Sequence, residues 1–139
     1  MTEKKYIVVV QCDIVMERCS GYLCEKAFQD RNGGFAAYPT DRSYRTLYVT
    51  CGGCCGRAVM RKLNDLTRMI SKEEGIEKRD IVVHLASCIT RDNYHAPPCP
   101  HLDYLKTLIR DKMALDLVED TYISQTSEKR RAGGRYQTT

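Results

Sequence analysis

The chain has 139 residues, of which 42% are hydrophobic and 29% charged, with a formal net charge of +4 and eight cysteines. That length predicts one domain able to bury its own core, and that composition excludes wholesale disorder. Apolar runs are too short for a membrane span, and the first residues lack a signal peptide's apolar segment and cleavage site, so a cytoplasmic protein without a membrane partner is expected.

Tyr6-Ile-Val-Val-Val-Gln-Cys12 is a continuous apolar run that predicts a strand buried on both faces of a parallel sheet. A charged loop leads to a helix around Cys19–Phe28, with Ser20 as its cap, Leu23, Ala27 and Phe28 on one side, and Gly33-Gly34 as its stop. Phe35–Tyr38 reads as a short second strand before Pro39. Thr46-Leu-Tyr-Val-Thr-Cys51 is the third strand, broken by Gly52-Gly53. From Gly56, Val59, Leu63, Leu66 and Ile70 recur on one helical face, and Gly75 ends it. Asp80–Cys88 is a fourth buried strand. Cys99-Pro100-His101-Leu102 opens a third helix with Leu102, Leu105, Leu108 or Ile109 inward, and Ala114–Val118 is a last, edge-like strand.

This alternation predicts a three-layer α/β/α sandwich, a flavodoxin- or Rossmann-like parallel sheet of about five strands in the order 2-1-3-4-5. Residues 1–123 form the expected single domain. Residues 124–139, with Lys129, Arg130, Arg131 and Arg135 against Glu128, read as a polar basic tail, disordered and solvated, and no nucleic-acid partner is expected.

In such a sheet, strand carboxyl ends and helix amino ends share one rim, where ligands bind. Cys12, Cys51 and Cys88 end strands. Cys54, Cys55 and Cys99 open helices, and Cys19 and Cys24 flank another helix start. A reducing cytosol argues against a disulfide framework, which turns attention to metal binding or redox chemistry. Thiolates with optional imidazole select zinc, an iron–sulfur centre or copper(I). The expected ligands are Cys12, Cys51, Cys54, Cys88 and Cys99, with Cys19, Cys24, Cys55, His95 and His101 as additional candidates and the metal ion as partner. His84, mid-strand in an apolar run, reads instead as a hydrogen-bonded core histidine.

These residues resemble the CGGC-domain family of small prokaryotic proteins. The resemblance rests on Cys51-Gly52-Gly53-Cys54, on Cys19-Ser20-Gly21-x-x-Cys24-x-x-Ala27-Phe28, and on His84-Leu85-x-x-Cys88-Ile89 followed by Cys99-Pro100-His101. It covers roughly residues 6–120 and implies a metal-binding domain, zinc being the usual assignment, without an established reaction. Two departures stand out. Cys55 follows the central motif where relatives often have proline, and Asp120-Thr121-Tyr122 stands where relatives tend to have Gly-Thr-His.

Metal binding is therefore the first expectation. A thiol–disulfide redox pair of Cys51 and Cys54 is the second. A phosphatase or arsenate-reductase type enzyme is the third, because Cys12…Arg18 and Cys51…Arg57 both place an arginine after a cysteine and five residues; spacing coincidence explains these better.

Overall fold

The computed structural model describes residues 6–13, 16, 19–53, 56–90 and 101–122. Strands β1 (Tyr6–Gln11), β2 (Arg45–Thr50), β3 (Ile81–Leu85) and β4 (Asp116–Glu119) form one parallel sheet in the order β2-β1-β3-β4. Val8 on β1 faces Leu47 on β2 and Val83 on β3, and Val83 in turn faces Leu117 on β4. Every residue of β1 and β3 is buried, as continuous apolar runs demand when both sheet faces are covered.

Strand alternation sorts the core into two clusters. Tyr6, Val8, Val10, Val83 and Leu85 face one side, where α2 (Arg57–Glu74) supplies Val59, Leu63 and Ile70. The short helix α3 (Ser87–Thr90) adds Ile89 to that cluster. Helix α4 (Leu102–Lys106) adds Leu105, and its π-helical continuation Thr107–Lys112 adds Ile109. Ile7, Val9 and Val82 face the other side, against Ala27 and Phe28 of α1 (Tyr22–Asp30) with Phe35 and Tyr38. The architecture is a small parallel sheet flanked by helices, an α/β sandwich.

Three expectations need correction. Phe35–Tyr38 is not a strand. Gly33–Phe35 forms a 3-10 turn, and the Tyr38 amide closes back on the Phe35 carbonyl. Gly33 at φ 59 and Gly34 make this possible: a Cβ on Gly34 would overlap the Asp120 carbonyl oxygen, so the turn packs directly on the segment after β4. The described residues accordingly give four strands, with β2 in the place beside β1 that Phe35–Tyr38, the expected second strand, was to fill.

The glycine pair is also not the stop of α1. Arg31 takes the left-handed cap at φ 54, its guanidinium 4.1 Å over the Phe28 ring and bonded to the Phe28 carbonyl. Gly75, by contrast, caps α2 as expected, at φ 67. Finally, β3 stops at Leu85. The Ala86 carbonyl accepts the Ile89 and Thr90 amides, which carries Cys88 off the strand and into the helical turn α3.

Candidate functional site

Five of the eight cysteines lie among the described residues: Cys51 is buried, and Cys12, Cys19, Cys24 and Cys88 are half-buried. All five sit at or beyond the carboxyl-terminal edge of the sheet or the opening of α1, and the strands leading to Cys51, Cys12 and Cys88 are adjacent. Cys54, Cys55, Cys99 and His95 fall outside the described residues. His101 is the exposed N-cap of α4.

The central strand organises the rim. The Cys51 amide donates to the Gln11 carbonyl and the Ala86 amide to the Val10 carbonyl, extending the sheet ladder by one step on each side. Beyond that step the strands diverge and sulfur takes over from carbonyl oxygen. The Cys12 amide donates to Cys88 Sγ at 3.3 Å, and the next amide, Asp13, donates to Cys51 Sγ at 3.4 Å. Two consecutive amides of the chain leaving β1 thus hold the sulfurs on its two sides. The Asp13 carboxylate lies against the Gly52-Gly53 turn, 3.5 Å from where a Gly53 Cβ would stand. Both glycines have positive φ, which lets the turn close over Asp13.

On the α1 face, Cys19 Sγ accepts the Gly21 amide at 3.4 Å, and Cys24 Sγ pairs with Thr121 Oγ1 at 3.1 Å. Fully buried Thr121 also accepts the Ser87 amide, while its own amide donates to Ser87 Oγ. Its neighbour Asp120 stands at φ 81, accepts the Thr90 hydroxyl on its carboxylate, and offers its carbonyl oxygen to His84 Nδ1 at 3.0 Å. That carbonyl makes Nδ1 the protonated nitrogen, so Nε2 accepts the Tyr38 hydroxyl at 2.7 Å. His84 is the hydrogen-bonded core histidine its apolar run implied, with burial holding its pKa below the ordinary value.

Metal binding is overturned. Among the described residues no three or more of His, Cys, Asp and Glu are grouped so as to hold a metal ion. Zinc, an iron–sulfur centre and a metal-ion partner all go with it. The physical reasons are local. Cys12 and Cys51 pack into the aliphatic cluster on one face, whereas Cys24 belongs to α1 on the other. Cys88 touches both clusters, and burial, reinforced by the neighbouring Cys12, Cys24 and Cys19, pushes its thiol up to about 12.

The redox-pair expectation is not supported either: Cys54 lies outside the described residues, and no two described cysteines are joined by a disulfide. Nor does Cys51…Arg57 form a nucleophile with its cradle. Cys51 is 7% exposed inside the core, whereas Arg57 opens α2 on the surface. Arg18 lies outside the described residues.

Sequence reasoning missed Gln11, Asp13, Ser87 and Thr121. Only Gln11 carried a signal, a polar residue closing an apolar strand on the α1 side of its alternation. The fold and rim define a parallel α/β domain with a thiol-lined carboxyl edge. The chain belongs to the CGGC domain family, whose model matches residues 6–122. No curated protein and no solved structure matches the chain. No helix among the described residues is long and apolar enough to cross a membrane.

Proposed function

We propose that this domain binds a small thiol-reactive ligand at its carboxyl-terminal rim, with Cys12 as the reactive thiol and Cys51 and Cys88 as the structural sulfurs that frame it. The observation that carries this reading is the pair of consecutive amides from Cys12 and Asp13 that engage the flanking sulfurs. Those bonds commit Cys51 and Cys88 to the backbone and leave the half-buried Cys12 at the end of the central strand, between them. Thiolate attack on a soft electrophile needs one sulfur and no partner cysteine.

The strand order β2-β1-β3-β4 among the described residues supports a flavodoxin-like reading, and ligands of such sheets bind where the order reverses, here beside β1. The family match over residues 6–122 supports one functional unit, with residues 124–139 as an appended tail.

Native alkylation with iodoacetamide, followed by peptide mass mapping, tests the assignment. Cys12 is expected to label before Cys51, and Cys88 last, because burial keeps its thiol neutral. Labelling of Cys88 at the rate of Cys12 in folded protein sinks the reading.

A further inference from the structure

A second binding feature lies on the α1 face, away from Cys51. Gln11 closes β1, is only 4% exposed, and follows Ile7 and Val9 onto the α1 side of the sheet. Its side-chain amide makes no hydrogen bond with any described residue. Unlike the Tyr48 hydroxyl, which is sealed and unpaired, it is not closed off from solvent. Set deep in the fold, with no protein partner yet open to solvent, it is a donor left available to a ligand.

The amide is aimed at the start of α1. Gly21, the N-cap, sits at φ 83, and a Cβ there would stand 3.1 Å from Gln11 Nε2 and 3.2 Å from the Met16 methyl. No side chain caps the Gly21 position. The Gly21 amide is taken by Cys19 Sγ and the Tyr22 amide by Ser20 Oγ. Leu23 and Cys24 follow in the first turn of a nine-residue helix, where amides have no intrahelical acceptor and the helix dipole favours negative charge.

We infer that this crevice binds a small oxyanion, with Gln11 Nε2 and the amides of Leu23 and Cys24 as donors. Gly21 is then required for space as well as for conformation, since a methyl group would stand between the Gln11 amide and the helix. The exposed Glu25 carboxylate in the same turn opposes an anion and keeps binding weak. The site deepens the thiol reading by naming the charged group of the ligand, but it needs no reactive cysteine, so the two can fail separately.

The test uses the full chain, reduced and isotope-labelled, titrated with inorganic phosphate and in a second arm with acetate, followed by amide NMR. Saturable shifts of the Leu23 and Cys24 amides and of the Gln11 side-chain NH2 are expected, and they should persist in Cys12→Ser. Stronger shifts with phosphate assign a phosphate group, and stronger shifts with acetate a carboxylate. Gln11→Glu, nearly isosteric but anionic, should weaken binding at least tenfold. Absence of saturable shifts at these positions in the unmutated chain overturns the proposal whatever the variant does. So does undiminished binding in a folded Gln11→Glu.

Discussion

The two faces of the sheet are built on different principles. Against α2 and α4 the contacts are aliphatic: Val8, Val10, Val59, Leu63, Leu85 and Ile109 fill the space and make no directional demands. Against α1 the core is aromatic and wired. Phe35 lies 5.4 Å from Phe28, edge-on, and 4.6 Å from the His84 ring, and Tyr38 and His84 pass hydrogen bonds on to Asp120. The first face is held by buried area, which depends weakly on solution conditions near neutral pH. The second is held by area plus bonds that fail when one proton is added or one group removed.

Truncation on each face should expose that difference, and it carries the largest expected effects. Phe35→Ala should cost about 3–5 kcal/mol and Leu63→Ala about 2–5 kcal/mol in chemical denaturation, since both side chains are essentially fully buried. The costs overlap, but their pH profiles should not. Only Phe35→Ala opens the packing around His84, so only its cost should change between neutral and mildly acidic buffer. Parallel profiles for the two variants would erase the distinction between the faces.

How much of this was legible in the sequence follows the same divide. The aliphatic face was: β1 and β3 announce themselves as unbroken apolar runs, and the spacing of Val59, Leu63, Leu66 and Ile70 locates α2 and its inner side. The aromatic face was not. Gly33-Gly34-Phe35 looks like a strand entry, and only the close approach of Asp120 shows why two glycines precede a buried ring. The rim was half legible. Spacing put Cys12 and Cys51 at strand ends and Cys19 and Cys24 around the opening of α1, where they lie, but it put Cys88 on a strand and cannot say what a sulfur's lone pairs do. Cys51 and Cys88 turned out to accept backbone amides where the ladder runs out.

A smaller effect, in the same wiring, comes from titration. Burial lowers the His84 pKa from its ordinary 6.5, while the Asp120 carbonyl bond and the Asp120 charge pull weakly the other way. The unfolded chain therefore takes up this proton at a higher pH than the folded one. Stability from the neutral imidazole is fully present above the ordinary value, falls as pH drops below it, and is gone below the folded value. The thermal midpoint should decline from pH 7 towards pH 5, and His84→Gln should flatten that decline while lowering the midpoint throughout. An equally steep decline in His84→Gln would place the sensitive proton elsewhere.

The smallest expected effect tests the joint between the faces. Asp120 occupies a left-handed conformation at φ 81, where an ordinary side chain costs roughly 1–2 kcal/mol. Glycine removes that strain. The aspartate offsets its strain with the bond from Thr90 Oγ1, a contribution of about 1 kcal/mol for a half-buried pair, and with a stiffer unfolded chain. Asp120→Gly should accordingly stay within about 1 kcal/mol of the parent in denaturant, because the terms nearly cancel. Asp120→Ala keeps the strain and loses the bond, so it should be the less stable of the two. If alanine matched glycine, backbone strain at this joint would be negligible. The left-handed turn would then be held by the Gly34 and His84 contacts to the Asp120–Thr121 backbone, which no side-chain change at position 120 removes.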